Sequence, residues 1–446
     1  MIKKLKALSY PQMIALGYFI VIAIGTALLS LPFASRGSAP SFTGALFTSA
    51  SATCVTGLVV FDTYTQWSLF GQIVILLLIQ VGGLGFMTII TMFSFLLRRK
   101  IGLVERGLLR ESINTMYVGG IVRLTRKILL GTLIFELIGA AALAIRFIPR
   151  MGFLSGIYNA VFHSVSAFCN SGFDLMGKYG EYSSLTTFSN DPIVLLTIMA
   201  LIVIGGIGFF VWDDLSKHKH RFKRYQLHTK IVLFVTGILI LSGAVCFYLF
   251  EKDNSFSGMP LGEQIINSLF CSVTPRTAGF NTVDTAGLSP AGNVLTMVLM
   301  FIGASPGSTG GGIKTTTLIV IILSAWASLG NKKGENLFGR RLEDFSLKRA
   351  SSVAVVNMML IVVATMLISA TNSSLSANGA LFEATSAIGT VGLSTGVTGS
   401  LNTFAHMILV LLMYAGRVGS VSFAILFREH RVPPSVQSPA EKIIVG

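Results

Sequence analysis

The order of apolar and polar positions divides the chain into long apolar runs separated by short polar segments. Runs near span length recur, as at 13–33 and 73–97. About 20 apolar residues in a helix cross a hydrocarbon core of about 30 Å. The pattern therefore predicts an all-α protein that spans a membrane several times.

One short phrase recurs between these runs. It reads ALFTSASATCVTGL at 45–58, AVFHSVSAFCNSGF at 160–173, SLFCSVTPRTAGF at 268–280 and ALFEATSAIGTVGL at 380–393. Each copy ends on a glycine followed by Leu or Phe, and these glycines are Gly57, Gly172, Gly279 and Gly392. Four matches at a near-constant spacing indicate an internal repeat.

Every copy lies between two apolar runs. Those before it are 13–33, 124–147, 227–250 and 350–371, and those after it are 71–97, 193–212, 294–329 and 405–427. The unit is therefore helix, short segment, helix, which predicts eight transmembrane helices in four repeats of parallel orientation. The repeat bounds are 10–100, 124–215, 227–330 and 349–428, followed by a tail at 429–446.

The phrase itself is too short to span the membrane. Irregular backbone at membrane depth must be buried in protein or line a water-filled cavity. We interpret each phrase as a re-entrant half-helix and an extended return, so that four returns around one axis form a ring of backbone carbonyls that replaces the hydration shell of a cation. The alternative is that small residues merely allow close helix packing, and four copies between paired spans argue against it.

The candidate filter residues are the last residues of each phrase. They are Cys54, Val55, Thr56, Gly57, Cys169, Asn170, Ser171, Gly172, Arg276, Thr277, Ala278, Gly279, Gly389, Thr390, Val391 and Gly392. Glycine supplies the backbone freedom to aim a carbonyl inward. Arg276 is a candidate clamp for the third return.

The third repeat alone carries a Gly-rich insertion in its second apolar run. Proline and several glycines there cannot form a continuous helix. We interpret the segment 304–314 as a gate in the path of the ion, the alternative being a simple kink. The candidate gate residues are Ala304, Ser305, Pro306, Gly307, Ser308, Thr309, Gly310, Gly311, Gly312 and Lys314.

Arg417 belongs to the same candidate gate. It stands in the fourth repeat where the others have Gly83, Gly206 and Ala304. A charge within a span is costly and is a functional candidate by default. The expected partners are oxygens of the 305–312 loop or an acid such as Asp214. Arg417 would either form a barrier to cations or hydrogen-bond the loop in a structural role.

The remaining acids within and beside the phrases carry less information. Asp62, Asp174 and Asp284 each follow a phrase glycine closely. They would raise the local cation concentration at an outer mouth or be ordinary loop acids. Glu136, inside an apolar run, is expected to pair within the bundle, and His163 receives no role.

Composition and charge support this interpretation. Charged residues make up 12% of the chain, 52% is hydrophobic, and the net charge is +15. Most Lys and Arg residues lie in groups at 3–6, 98–127, 217–230, 332–349 and 428–446. Basic loops stay on the cytoplasmic side, so both termini are predicted to be cytoplasmic and nucleic-acid binding is not expected.

Other kinds of site and other function classes differ from this sequence in the features they require. The four cysteines have no metal-ligand spacing, and no cluster of His, Asp and Glu in the bundle suggests an enzyme. GSTGGGIKT at 307–315 differs from a phosphate loop because Ile313 separates glycine from lysine. An unrelated secondary transporter with broken helices would predict inverted halves and intramembrane acids.

These motifs together resemble the Ktr/Trk/HKT superfamily of cation transporters. GLGFMT at 83–88, TPRTAGFN at 274–281 and GTVGLSTG at 389–396 are similar to those of the bacterial KtrB-like potassium-translocating subunits. The resemblance implies K⁺ uptake across a bacterial cytoplasmic membrane, often dependent on Na⁺ as an activating or coupling ion. It also implies K⁺ at the carbonyls of Gly57, Gly172, Gly279 and Gly392, and a gating loop facing Arg417.

The resemblance further implies partners and a selectivity. The family forms homodimers in the lipid bilayer, on a cytosolic ring of nucleotide-binding RCK (KtrA-like) subunits that regulates gating. Members with serine in the first filter prefer sodium, so Gly57 indicates potassium. The four walls differ in sequence, and a sodium-preferring or poorly selective monovalent cation transporter remains the alternative.

Overall fold

The computed structural model describes residues 9–97, 101–113, 119–219, 221–329, 336–337, 340–341, 344–420 and 423. The predicted tail at 429–446 lies outside this part of the chain. Within it the regular structure is helical, apart from one antiparallel ribbon of β1 (Asn336–Leu337) and β2 (Arg340–Arg341).

The helices follow the predicted repeats. The first two repeats contain α1 Tyr10–Leu29, α2 Phe42–Cys54, α3 Thr63–Gln66, α4 Leu69–Leu84, α5 Phe86–Leu96, α6 Leu103–Ile113, α7 Ile121–Met151, α8 Phe153–Phe168, α9 Pro192–Gly206 and α10 Phe209–His218. The last two contain α11 Leu227–Glu251, α12 Leu261–Val273, α13 Pro290–Phe301, α14 Thr315–Leu329, α15 Asp344–Thr371, α16 Ala377–Gly389 and α17 Thr403–Val418. The phrases form the ends of α2, α8, α12 and α16 and the turns that follow.

Four helices in the described part of the chain are long and apolar enough to cross a membrane: α1, α7, α11 and the stretch Ser346–Thr371 of α15. Counting each of two bent pairs, α4 with α5 and α9 with α10, as one span raises the number to six. The helices α13, α14 and α17 are apolar but shorter. The eight spans predicted from the sequence stay a prediction.

The second apolar run is interrupted in the first three repeats, and in the fourth its helix ends at Val418, whereas the sequence predicted a break only in the third. The axes of α4 and α5 differ by 98°, and those of α9 and α10 by 94°. Gly85, Gly208 and Gly419 follow α4, α9 and α17 with φ of 81°, 95° and 96°. A positive φ cannot continue a right-handed helix, so the predicted continuous runs 71–97, 193–212 and 405–427 were wrong at these glycines.

Small residues let the second helices approach the short ones closely. A Cβ added at Gly82, Gly205 or Gly416 would overlap a backbone carbonyl oxygen, of Thr53, Phe168 and Ile388 respectively. These oxygens belong to the last turns of α2, α8 and α16. Glycine therefore brings α4, α9 and α17 against the C-terminal ends of the short helices.

The first and last repeats are in contact. One buried apolar cluster combines Ile22 and Phe47 of the first repeat with Ile361, Ile388 and other residues of α15–α17. The Tyr414 hydroxyl donates to the carbonyl of Ala15 at 2.6 Å. The first and fourth repeats, although far apart in sequence, are thus neighbours in the fold.

Candidate functional site

The four phrases end in turns of the same backbone shape. Two residues before each phrase glycine, a non-glycine residue has a positive φ: Val55 (57°), Asn170 (59°), Thr277 (71°) and Thr390 (50°). The glycines that follow have φ between 72° and 91°. Such values are uncommon outside glycine, and their recurrence at equivalent positions shows that one local geometry is built four times.

A hydroxyl from each short helix supports its turn. Ser51 Oγ accepts from Gly57 N, and Ser386 Oγ accepts from Gly392 N, both at 3.1 Å. In the other two copies the hydroxyl donates to the residue after the glycine, Ser166 to the Phe173 carbonyl at 2.6 Å and Thr274 to the Phe280 carbonyl at 2.5 Å. Sequence reasoning missed this Ser/Thr, although it recurs at one position of every phrase.

The four phrase glycines contact one another's turns in a closed cycle. A Cβ added at Gly57 would overlap the carbonyl oxygen of Ser171, at Gly172 that of Ala278, at Gly279 that of Val391, and at Gly392 that of Thr56. Each phrase glycine thus contacts the residue that precedes the glycine of the next phrase, and Gly392 of the fourth phrase contacts Thr56 of the first. We call this arrangement the glycine ring.

The other predicted filter residues lie around the glycine ring in different ways. Cys54 and Gly389 are the last residues of α2 and α16, and the Cys169 thiol contacts Gln80 Oε1 at 3.5 Å. The Arg276 side chain is buried and donates from Nη2 to the Thr236 hydroxyl at 3.3 Å. Its guanidinium therefore points to α11, and in the described part of the chain it makes no hydrogen bond to the third return, unlike the expected clamp.

The segment 302–314, which links α13 to α14 and contains the predicted gate 304–314, packs against the turns that form the glycine ring. A Cβ at Gly310 would lie 2.9 Å from Thr277 Cβ, and Gly311 N donates to the Thr390 hydroxyl at 3.0 Å. The Thr309 hydroxyl donates to the Phe168 carbonyl at 3.3 Å. The segment thus contacts the second, third and fourth phrases.

The same segment is hydrogen-bonded to the break in the second repeat. Ser305 N donates to the Gly206 carbonyl at 3.0 Å, and Phe209 N donates to the Gly307 carbonyl at 2.8 Å. A Cβ at Gly208 would meet the Pro306 carbonyl oxygen at 2.5 Å. The backbone around the break at Gly208 therefore forms part of the surface against which the segment 302–314 packs.

Arg417 and Lys314 both donate to backbone carbonyls of this region. The Arg417 guanidinium donates to the carbonyls of Thr309, Gly82 and Gly83. Lys314 Nζ donates to the carbonyls of Gly310 and Gly311, at 2.8 and 3.1 Å. Arg417, on the fourth repeat, thereby joins the first repeat to the segment 302–314.

The alternative partner expected for Arg417 has other contacts. Asp214 Oδ1 is 2.9 Å from His218 Nδ1, and Asp214 Oδ2 accepts from Gln226 N at 2.9 Å. Of the two expected partner sets, the structure pairs Arg417 with the loop oxygens.

The three acids expected near an outer mouth differ in environment. Asp62 is buried and accepts from the backbone N of Tyr64, Thr65 and Tyr182, whereas Asp284 is exposed. Asp174 accepts from Met176 N at 2.9 Å. Burial, reinforced by the nearby Asp62 carboxylate, raises the pKa of Asp174 to about 7.

Two further residues inside the bundle have defined partners. Glu136 is buried and accepts from Gln80 Nε2 at 3.2 Å, which confirms the pairing expected within the bundle. His163, which received no role from the sequence, is buried with Nδ1 2.7 Å from the Asn159 carbonyl. Its Nε2 accepts from Leu175 N at 3.4 Å, just after the second turn.

The sequence matches known families and proteins over nearly its whole length. The family described as "TrkH: Cation transport protein" matches residues 6–437. The chain is 40% identical to the Potassium/sodium uptake protein NtpJ of Enterococcus hirae, over 99% of this chain and 98% of that protein. It is also 40% identical to the Ktr system potassium uptake protein B of Bacillus subtilis, over 98% of this chain and 96% of the relative.

A solved structure supports the same fold. The crystal structure of the potassium transporter TrkH from Vibrio parahaemolyticus superimposes with a TM-score of 0.72 at 19% sequence identity. The match covers 92% of this chain and 84% of the other. The sequence match and the extent of the relatives agree with the resemblance noted from the motifs, and the chain belongs to the TrkH family of cation transport proteins.

Proposed function

We propose that this chain takes up potassium ions through a passage whose selective constriction is the glycine ring. The closed cycle of contacts among the four turns carries this proposal, because it brings together four phrases whose glycines lie at positions 57, 172, 279 and 392 of the chain. Backbone carbonyls in such a ring replace the hydration shell of a cation. The two relatives are named as potassium/sodium and potassium uptake proteins.

In this proposal the four repeats are parallel helix–pore-loop–helix units around a pseudo-fourfold axis. The repeats are 10–100, 124–215, 227–330 and 349–428, with eight transmembrane helices and four re-entrant pore helices, α2, α8, α12 and α16. K⁺ binds to carbonyl oxygens of Gly57, Gly172, Gly279 and Gly392. The C-terminal ends of the four pore helices carry partial negative charge and favour a cation there.

The segment 304–314 and Arg417 form the gate of this passage. The segment contacts Thr277 and Thr390, which precede the phrase glycines of the third and fourth repeats by two residues. In this proposal an ion that leaves the glycine ring therefore meets the segment next. The Arg417 guanidinium holds the segment through the Thr309 carbonyl and places a fixed positive charge beside it. Opening therefore requires displacement of the segment from these carbonyl contacts.

The partners and the location follow from the resemblance and from the charge pattern. We propose a homodimer in the bacterial cytoplasmic membrane, with both termini in the cytoplasm and a cytosolic RCK (KtrA-like) ring that regulates the gate. Basic loops at 98–127, 217–230 and 332–349 support the orientation. Na⁺ in this scheme acts as an activating or coupling ion.

A sodium-conducting or poorly selective transporter is a second candidate. The residues just before the phrase glycines differ between the walls, with hydroxyls at Thr56 and Ser171 but none at Ala278 and Val391. Unequal walls offer fewer equivalent oxygens than a symmetric filter. One relative is named for uptake of both ions.

Uptake of ⁸⁶Rb⁺ into proteoliposomes tests the proposal. Unlabelled K⁺ should compete strongly with the tracer and Na⁺ weakly. Equal competition by the two ions would remove the potassium assignment and favour the second candidate, and lack of protein-dependent uptake would remove cation conduction altogether. Empty liposomes measured in parallel give the leak to be subtracted.

A further inference from the structure

One position of the phrase is occupied by four chemically different side chains. The fourth residue of each copy is Thr48, His163, Cys271 or Glu383. Each lies on a pore helix one turn before the hydroxyl that supports the turn. Glu383 is the only carboxylate of the set, and none of its surface is exposed.

Glu383 accepts three hydrogen bonds from the return segment of its own wall. Oε1 accepts from the Ser394 hydroxyl at 2.5 Å and from Thr395 N at 3.3 Å. Oε2 accepts from the Thr398 hydroxyl at 2.7 Å. All three donors follow Gly392 within six residues, so one side chain fixes the segment just beyond the fourth turn.

We propose that Glu383 is a positioning residue that holds the fourth wall of the glycine ring in register and so determines discrimination between K⁺ and Na⁺. This inference rests on the proposed function, because it assigns a role at the same constriction. The fourth turn is held from two sides, by Ser386 Oγ at Gly392 N and by Glu383 at residues 394–398.

The other three walls lack an equivalent charged support at this position. His163 accepts one hydrogen bond, from Leu175 N. Within the described part of the chain, the buried Thr48 hydroxyl has no hydrogen-bond partner. Cys271 is a buried thiol, which is a weak donor and acceptor.

The position of the fourth wall affects its neighbours on both sides. Gly279 is in contact with the Val391 carbonyl, and Gly392 is in contact with the Thr56 carbonyl. The Thr390 hydroxyl also accepts from Gly311 N of the proposed gate. Movement of the fourth wall would therefore alter the spacing of the carbonyls in three of the four walls.

The test replaces Glu383 by glutamine, which keeps the shape but turns one acceptor into a donor. Glu251 provides a matched control, since it too is fully buried and accepts three hydrogen bonds, from Ser289 N, the Ser289 hydroxyl and Asn254 Nδ2. Those partners lie outside the phrases. Competition of K⁺ and Na⁺ with ⁸⁶Rb⁺ uptake is measured in wild type, Glu383→Gln and Glu251→Gln.

We expect the K⁺/Na⁺ competition ratio to fall about tenfold in Glu383→Gln, the change that about 1.4 kcal/mol produces, and to stay at the wild-type value in Glu251→Gln. A fall in uptake with an unchanged ratio would show a purely structural role and overturn the inference. An equal change of ratio in both variants would do the same.

A second variant covers the case in which Glu383→Gln does not fold. The double substitution Ser394→Ala with Thr398→Ala removes two donors and keeps the carboxylate, and we expect it to lower the same ratio. An unchanged ratio in the double variant would overturn the inference. Failure of the proposed function is recognised separately in the folded wild type, which would then show either no uptake or equal competition by K⁺ and Na⁺.

Discussion

Replacing Gly392 by alanine should disable the glycine ring while leaving the rest of the molecule folded. The added Cβ would lie 2.9 Å from the Cα of Gly57 and closer still to the Thr56 carbonyl oxygen. Ordinary contacts of a Cβ begin at 3.4 Å, so the first and fourth turns must separate by at least 0.5 Å. That displacement moves a proposed carbonyl ligand of the ion.

Gly396 provides a matched control on the same wall. Its φ is 83°, close to the 91° of Gly392, but no atom of the described residues lies within 4 Å of an added Cβ. Alanine in a left-handed conformation costs about 1–2 kcal/mol. Both variants therefore carry a similar backbone strain, and only Gly392→Ala adds the overlap between turns.

The assay is the initial rate of ⁸⁶Rb⁺ uptake into proteoliposomes, with the thermal unfolding midpoint in detergent as the measure of folding. We expect Gly392→Ala to lower the rate at least about tenfold, equivalent to about 1.4 kcal/mol in a rate. We expect Gly396→Ala to retain most of the rate, with a similar loss of midpoint. Equal rates in the two variants would refute the reasoning from the contacts between turns.

Two further predictions concern charged groups. Arg417→Gln removes donors to carbonyls of the first repeat and of the segment 304–314 proposed as the gate, so ⁸⁶Rb⁺ uptake should rise several-fold and the unfolding midpoint should fall. Unchanged uptake in folded protein would contradict the proposed gate. Burial raises the pKa of Asp174 to about 7. Between about pH 4 and pH 7 the folded protein therefore keeps a proton on this carboxyl group that the unfolded chain releases. The stability that this group contributes is lost as the pH rises towards 7. Asp174→Asn should therefore flatten the fall of the unfolding midpoint between about pH 4 and pH 7, and identical slopes for wild type and variant in this range would contradict the prediction.

The convergence of the four phrase glycines could be expected from the sequence, because the same phrase recurs between paired apolar runs. Repetition makes equivalent positions visible even when each copy alone is ambiguous. The position of Arg417 opposite the Gly-rich segment could be inferred in the same way, from its place in the fourth copy. Comparison of equivalent positions in the four repeats thus predicted which residues lie close together in the fold.

The breaks at Gly85, Gly208 and Gly419 were not anticipated. A single glycine in an apolar run is tolerated in many helices, and hydropathy does not distinguish a straight span from one bent by more than 90°. The direction of the Arg276 side chain was missed for another reason. Whether it points to its own return or to Thr236 depends on how α11 packs, which no local pattern records.

The role proposed for Glu383 could not be inferred from the sequence either. A single acid among four unlike residues at one phrase position shows no periodicity, and its three donors lie beyond the phrase, in the irregular stretch after Gly392 and at the start of the short 3-10 helix Thr398–Ser400. Only the fold brings residues 394–398 back beside α16, the helix that carries Glu383. The Ser/Thr position one turn later was missed as well, but its recurrence in every phrase is a signal in the sequence that could have identified it.

The contact between Gly392 and Thr56 has a consequence for biosynthesis. It joins the last phrase to the first, and Tyr414 likewise reaches back to Ala15. The first three repeats are synthesised before the fourth. The surface of the first repeat that contacts the fourth therefore stays uncovered until the fourth leaves the ribosome. During that interval Phe47 and Ala50 lack the neighbours from α15–α17 that bury them in the finished protein, so lipid or an insertion factor has to cover this flank until synthesis is complete.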